Sequence, residues 1–224
     1  MKTKSIKFLS IIPARKGSKR IKNKNKVLIK KKNLLDLSIE NSLKSKHIDL
    51  TLLSTNYLLQ KKYKNKKNFL YLKRPKSLCK DNSNTEEVVL HALKYLEDKS
   101  IFCENIILLQ PTSPFRNFIH IDKAIKLFKK KKFDSLFSAY IEKLFIWKKE
   151  KKLISHSYNF RSRERTQVMK GSIIENGAIF IFNVRKFKKI KNRLFGNIGY
   201  FRMSKRDSLE IDTLSDLKIA RKLS

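Results

Sequence analysis

Phe8-Leu9-Ser10-Ile11-Ile12-Pro13-Ala14-Arg15-Lys16-Gly17-Ser18-Lys19-Arg20 is the stretch on which the reading of this chain turns. Its first part is short, apolar and β-branched, the composition of a strand buried on both faces. Pro13 stops that run, and a basic segment containing Gly17 follows, which reads as a loop at the strand's carboxyl end. Backbone N–H groups of such a loop can point at phosphate oxygens, and Gly17 lets the chain turn or approach a ligand closely. Arg15, Lys19 and, further along, Lys24 supply charge suited to a triphosphate. The G-x-x-x-x-G-K-[ST] pattern of a P-loop is absent, and a solvated basic loop is the competing reading.

Outward from this loop, strand-like and helix-like segments alternate. Leu34, Leu35, Leu37, Ile39 and Leu43 carry a helical spacing to about Lys46. Leu50–Thr55 reads as a strand and Asn68–Leu72 as a weaker one. Asn84–Leu96 has Val88, Val89, Ala92, Leu93 and Leu96 on one helical face, with Asn84 or Thr85 as its cap. Ile106–Leu109 is a buried strand ended by Gln110-Pro111, and Ile119–Phe128 a helix. Ser135–Ala139 and Ala178–Phe182 read as strands, and Asp212–Leu223 as a closing helix. This order predicts an α/β fold, a Rossmann-like three-layer sandwich around a mostly parallel sheet, in one domain spanning residues 1–224. Ligands of such sheets bind outside the carboxyl ends of the strands, which directs attention to the residues after Ile12, Thr55, Leu72 and Leu109. Tyr140–Ser172 is charged and irregular and reads as an excursion from the sheet.

The formal charge of +35, from 54 Lys+Arg against 19 Asp+Glu, invites a nucleic-acid reading. The excess is mostly lysine, dispersed along the chain and accompanied by abundant Asn and Ile, as codon bias in an AT-rich genome would produce. No specific nucleic-acid partner is therefore expected, although a basic nucleic-acid-binding protein stays among the alternatives. A positive field should in any case attract anionic substrates in a salt-dependent manner. Cys79 and Cys103 form no C-x-x-C pair and suggest a reducing compartment. Met1–Ser10 contains lysines but no apolar stretch long enough for a signal peptide. Runs such as Ile106–Leu109 are too short to cross a bilayer, so a cytoplasmic location without membrane contact is expected.

Several stretches, taken together, resemble one family. Ile11-Ile12-Pro13-Ala14-Arg15-x-Gly17-Ser18-Lys19 with Lys24-Asn25 is similar to the opening signature of the acylneuraminate cytidylyltransferases, the CMP-sialic acid synthetases. Arg74-Pro75 with Leu78 and Asp81 resembles that family's R-P-x-x-L-x-x-D. Leu108–Arg116 resembles L-L-Q-P-T-S-P-L-R, and Glu175–Phe180 resembles E-N-G-A-I-Y. Ser208–Thr213 with Asp216-Leu217 resembles S-I-D-I-D-T-x-x-D-L.

The resemblance implies a nucleotide-diphospho-sugar transferase-like fold and transfer of CMP from CTP to an acidic nine-carbon sugar. It implies that Arg15, Ser18, Lys19 and Lys24, with the backbone at Ala14, hold the CTP phosphates. Arg74, Ser83 and Thr85 would contact the cytosine and its ribose. Gln110 would orient the acceptor, Arg165 would meet the acceptor carboxylate, and Phe180 would line the sugar pocket. Arg163 is the alternative to Arg165, because the spacing from there to Asn176 is slightly longer than the family's. Glu210 and Asp212 would bind Mg2+ (or Mn2+), and Arg15, Lys24 and Asp212 would be the catalytic set. Relatives form homodimers through the excursion, so residues 140–172 would be the dimerisation segment. A legionaminic acid acceptor, with pseudaminic acid and Kdo fitting the motifs less well, and a catalytically inactive relative are the alternatives within the family.

The residues allow plainer readings beside these. Glu210 and Asp212, two apart, share a face only if extended, and Asp212 could instead cap the last helix. Gln110 could satisfy backbone groups of its own loop. Asn176-Gly177 could be a simple turn. Trp147 and its aromatic neighbours are expected to pack within the excursion, and none of His47, His91, His120 and His156 is given a catalytic role. Lys16 and Arg20 stand where the family often has Gly, Asn56 where it has Asp after the strand end, and Glu210 where it has the first metal-binding Asp.

Overall fold

The structure is a computed structural model that describes residues 3–29 and 31–224; Met1 and Lys2, which open the N-terminal stretch considered above, and Lys30 lie outside the described residues. The apolar run that opens the sequence belongs to strand β1 (Lys4–Ala14), followed by a small hairpin of β2 (Leu28–Ile29) and β3 (Lys32–Asn33). Helix α1 (Leu34–Lys44) leads to β4 (Leu50–Thr55) and β5 (Phe69–Lys73), and helix α2 (Thr85–Glu97) to β6 (Ile101–Leu108). Helix α3 (Phe118–Lys131) precedes β7 (Ser135–Glu142), and a second hairpin pairs β8 (Trp147–Lys149) with β9 (Leu153–Ser155). Then come β10 (Ser172–Asn183), α4 (Val184–Ile190), β11 (Ile198–Arg202) and α5 (Leu214–Leu223).

Seven strands make one sheet in the order β11-β7-β10-β6-β1-β4-β5. β10 runs antiparallel to both neighbours, and the other pairings are parallel. The sheet is mostly parallel, as expected. From β1 the chain steps outward to β4 and β5, then returns to place β6 on the other side of β1. The strand order therefore reverses between β1 and β6, where open α/β sheets form their ligand crevice.

Alternation along the strands builds two cores. Phe8, Ile12, Ile107 and Ile181 pack under α1 and α3 with Leu35, Ile39, Ile121 and Ile125. Leu9, Ile11, Ile106 and Phe182 pack under α2 and α4 with Val89, Leu93, Leu96 and Phe187. A third cluster joins Ile21 and Ile29 to Leu34 and to Ile211, Leu217 and Ala220. It fastens the C-terminal helix beside the loop that follows β1.

Local chemistry explains the element ends. Asn33, Asn84 and Asn117 each accept the N3 backbone N–H of the helix they precede. The last helix is capped by Thr213 in a capping box with Asp216, not by Asp212. The excursion is shorter than expected, because β7 continues to Glu142, opposite Ser172 at the start of β10. Its aromatic rings do pack on one another: Tyr158 meets Phe145 and Trp147 edge-on at centroid distances of 4.7 and 5.9 Å. Edge strand β11 and helix α4 were not expected from the sequence. Among the described residues no helix is long and apolar enough to cross a membrane.

Candidate active site

A cleft of 490 Å³ opens at the carboxyl ends of β1, β5 and β6. One wall is the loop after β1, contributing Arg15, Ser18, Lys19, Arg20 and Lys24. The opposite wall runs from Arg74 through Asp81 and Ser83 to Thr85 and Val88 at the start of α2. Gln110 and Thr112, just beyond β6, close the end.

The loop after β1 is held by amides. Asn56 Oδ1 accepts the Lys16 N–H at 2.7 Å, and buried Asn25 donates to the Arg15 carbonyl at 3.0 Å. Asn56 thus serves as a loop anchor. Gly17 adopts φ +86°, a conformation L side chains rarely take, so a glycine is needed there despite Lys16 beside it. Ala14 is buried beneath the loop at the end of β1 and is not among the residues that line the cleft.

Arg74 is buried and donates to the Ser54 carbonyl at 2.8 Å. Burial lowers its guanidinium to about 10, with Arg15 nearby adding to the fall, which leaves it a cation at neutral pH. Arg15 and Lys19 both pair with Asp81, at 2.8 and 2.5 Å. These contacts, Lys19 first, hold the Asp81 carboxyl below the usual carboxylate range. Lys24 Nζ lies 2.7 Å from Asp212 Oδ1, and Arg20 lies 3.8 Å from its other oxygen. With Thr213 as the helix cap, the Asp212 side chain is left to face these cations. The loop after β1 and the carboxylate near the C-terminus therefore converge.

Glu210 behaves differently from Asp212. Ile211 between them turns inward into the third core cluster, its N–H donating to the Thr112 carbonyl at 2.8 Å. Glu210 accepts the Thr112 hydroxyl at 2.8 Å. Burial, followed by the nearby Asp212, pushes its carboxyl upward, against the Thr112 hydrogen bond. Both Glu210 oxygens and Gln110 Oε1 lie 3.3 Å from the point where a Cβ on Gly177 would stand. Gln110, Gly177, Thr112 and Glu210 thus form one corner of the site.

Asn176-Gly177 is not a free turn but part of an irregularity within β10, with Gly177 at φ +64°. Asn176 is buried and satisfied: it accepts from Ser138 Oγ at 2.6 Å and donates to Ser208 Oγ at 2.7 Å. This ties β7, β10 and the segment carrying Glu210 together.

Two expected residues do not reach the cleft. Phe180 is 2% exposed and packs in the core under α2 and α4. The alternation of β10 turns it to that face, and the Arg193 guanidinium, bidentate with Glu86, lies 5.0 Å from its ring. Phe180 as a wall of the sugar pocket is thereby corrected to a core residue. Arg165 and Arg163 sit on the excursion in a separate exposed hollow with Phe145 and Gln167, and Arg163 lies 4.0 Å above the Phe145 ring. Within one chain neither belongs to the cleft.

Three further contributors, Asp81, Thr112 and Arg116, lie within the motif stretches. Asp81 is the acid of the 490 Å³ cleft, and its signal was a lone carboxylate after the basic run Lys73–Lys80. Thr112 shows itself only through its pairing with Glu210. Arg116 is 1% exposed and donates to the carbonyls of Gln110 and Ala178 at 2.7 and 2.9 Å and to Ser38 Oγ at 2.7 Å. It joins β6, β10 and α1 behind the Gln110 corner. Burial lowers it to about 9. No sequence signal separates a buried arginine from the many exposed ones in this chain.

The arrangement offers a polyanion the cations of the loop after β1 and the buried Arg74, with Gln110 at one end of the cleft. A family model described as "Cytidylyltransferase" matches residues 9–224. The chain is 32% identical over 225 residues to an N-acylneuraminate cytidylyltransferase of Escherichia coli, covering 96% of this chain and 51% of that protein. It is 28% identical over 229 residues to a pseudaminic acid cytidylyltransferase of Campylobacter jejuni, covering 96% and 95% respectively. The chain thus spans about half the length of the first relative and nearly all of the second. Among solved structures, a CMP:2-keto-3-deoxy-manno-octonic acid synthetase complexed with CTP has a TM-score of 0.69 at 15% identity, covering 97% of this chain and 98% of that one. A 2-C-methyl-D-erythritol 4-phosphate cytidylyltransferase of Francisella tularensis scores 0.66 at 14% identity, covering 97% and 100%. These two are likenesses of fold. From the matched model, the relatives and the cleft together, the chain belongs to the cytidylyltransferase family.

Proposed function

We propose that this chain transfers CMP from CTP to the anomeric hydroxyl of a sialic-acid-type nonulosonic acid, releasing pyrophosphate. The observation that carries the reading is the cleft at the β1/β6 reversal, lined by five cations, with Lys24 paired to Asp212 across its edge.

In this reading the acceptor oxygen attacks the α-phosphorus. The bond from that phosphorus to the bridging oxygen breaks, its electron pair leaves with pyrophosphate, and the hydroxyl proton is released. Arg15, Lys19 and Lys24 offset the negative charge of the phosphates, and Ser18 donates to them. Arg74, Ser83 and Thr85 hold the cytosine and ribose. Gln110 orients the acceptor hydroxyl, held in place by Arg116 behind it and Gly177 beside it. Catalysis is then positioning and charge stabilisation without a covalent enzyme intermediate.

Mg2+ (or Mn2+) is part of the proposal. Among the described residues no three His, Cys, Asp or Glu side chains form a metal-holding group. Magnesium needs only one or two carboxylates when phosphate oxygens and waters complete its shell, and Asp212 with its exposed carboxylate fits that requirement. Glu210, engaged with Thr112, would assist from the side. Such an ion would supply further charge neutralisation on the triphosphate.

Arg165 would pair with the acceptor carboxylate across a homodimer, the excursion of one copy reaching the site of the other. Exposed apolar residues of that segment support this, with Leu153 and Val168 each about two-thirds exposed. A fully active monomer in sedimentation would refute it. A cytoplasmic location, where CTP is available, accords with the free thiols of Cys79 and Cys103.

N-Acylneuraminate is the first acceptor reading, from the 32% identical relative. A pseudaminic acid acceptor is favoured by one observation, the match along 95% of the Campylobacter relative. A CMP-N,N'-diacetyllegionaminic acid synthase of Legionella pneumophila, 31% identical over 126 residues, keeps legionaminic acid in the panel. The deciding experiment is a coupled pyrophosphate assay with CTP and a panel of nonulosonic acids. Acceptor-dependent pyrophosphate release supports the proposal and names the acceptor. Tight CTP binding with no release from any acceptor would mark an inactive relative.

A further inference from the structure

The cleft contains an apparent contradiction. Five of its lining residues, Arg15, Lys19, Arg20, Lys24 and Arg74, are cations, and one, Asp81, is an acid. Carboxylates are scarce in this chain, 19 against 54 Lys and Arg, so abundance does not explain an acid in a site for a polyanion. Its geometry is specific. Asp81 comes from the wall that follows β5 and spans to the wall that follows β1, placing one oxygen 2.8 Å from Arg15 Nη2 and the other 2.5 Å from Lys19 Nζ. Two oxygens of one anion on two cations is also how a phosphate group would engage them.

We propose that Asp81 is a built-in competitor for the nucleotide's phosphates, and that it sets both affinity and charge selectivity by holding Arg15 and Lys19. The inference rests on the CTP reading of the cleft. A ligand must displace the single charge of Asp81 from both cations. A triphosphate carries enough charge to do so, whereas an uncharged nucleoside makes no claim on them. Asp81 also offsets repulsion between Arg15, Lys19 and the buried Arg74. The exchange is inexpensive because the carboxylate is exposed: its release returns it to water, and exposed ion pairs are individually weak.

The test is calorimetric titration of CTP, inorganic tripolyphosphate and cytidine into the wild-type chain, Asp81→Asn and Asp81→Glu, at fixed low ionic strength without added divalent ion. Asp81→Asn should bind CTP and tripolyphosphate about two- to thirtyfold more tightly, the range that loss of two competing exposed pairs spans. Cytidine affinity should not change, and the gain should shrink as salt is raised. Asp81→Glu, which keeps the charge, should stay within about twofold of wild type. Unchanged or weakened CTP binding in Asp81→Asn would overturn the inference by making Asp81 an orienting partner of Arg15. So would an equal change in cytidine affinity, which would mean a general distortion of the cleft. If the wild type and both variants bind neither CTP nor tripolyphosphate, the nucleotide reading itself fails and takes this inference with it.

Discussion

Replacing Gly177 by alanine should damage stability and the acceptor corner together. Gly177 adopts φ +64°, and an L residue forced into the left-handed region costs roughly 1–2 kcal/mol. Alanine recovers about 0.4–1 kcal/mol by restricting the unfolded chain. The new methyl group would stand 3.3 Å from Gln110 Oε1 and from both Glu210 oxygens, tighter than ordinary van der Waals contact, so these side chains must shift by a few tenths of an ångström. Glu210 is held by its bond to Thr112, whereas Arg116 holds only the backbone carbonyl of Gln110, so the Gln110 amide end is the group that moves. The backbone terms leave about 0–1.6 kcal/mol and the forced side-chain shift adds about 0.5–1 kcal/mol, a net destabilisation of about 0.5–2.5 kcal/mol, or roughly 1–10 °C in Tm for a chain of this size. Gly17→Ala is the control. It shares a positive φ of +86° but has no atom within 4 Å of the added Cβ, so it bears the backbone cost alone. Thermal unfolding of both variants, with KM for acceptor and for CTP, is the assay. Gly177→Ala should raise the acceptor KM by about threefold or more with little change for CTP, following displacement of Gln110. An unchanged Tm and an unchanged acceptor KM would refute the reasoning.

Two further perturbations probe other parts of the molecule. Arg15→Ala should lower turnover by at least about tenfold through loss of a charge-assisted phosphate contact; unchanged turnover at saturating CTP, in the pyrophosphate assay, would count against the role given to this loop. Asp134 pairs with Lys186 and accepts the Asn197 N–H, and these contacts, Lys186 first, hold its carboxyl below the usual range. A depressed folded value contributes stability above the unfolded value, and this is lost as pH falls through the folded one. Asp134→Asn should therefore lower Tm at pH 7, and the gap to wild type should close as the pH drops below about 4. A gap that stays constant from pH 7 to pH 3 would contradict it.

Much of the fold was legible because its signals are local. β-branched runs of strand length at Phe8–Ile12, Leu50–Thr55 and Ile106–Leu109 read as buried strands, and the cap Asn84 marks a helix start by its own hydrogen bond, whereas the cap Asn117 shows itself only in the structure. Strand β11 escaped because it is an edge strand containing Gly199, with burial only at alternate positions and a polar surround. Phe180 was misplaced because a motif names a residue but not its face. Whether that ring points to the cleft or to α2 depends on the register shift between Glu175 and Phe180 in the pairing of β10 with β7.

The alternation of the main strands and helices from β1 to β7, the basic loop after β1 and the resemblance to a family came from the sequence unaided, since each depends on short-range pattern and on motif order. The tertiary structure alone decided which charges meet. Lys24 and Asp212 are 188 positions apart, and Arg15 and Asp81 are 66 apart. No periodicity connects them, and in a chain with so many lysines any carboxylate has numerous conceivable partners. The reversal of strand order between β1 and β6, and the packing of Ile211 and Leu217 against Ile21 and Leu34, bring these groups to one cleft. Coulombic contact is a property of distance in space, and only the folded sheet with its docked C-terminal segment sets that distance.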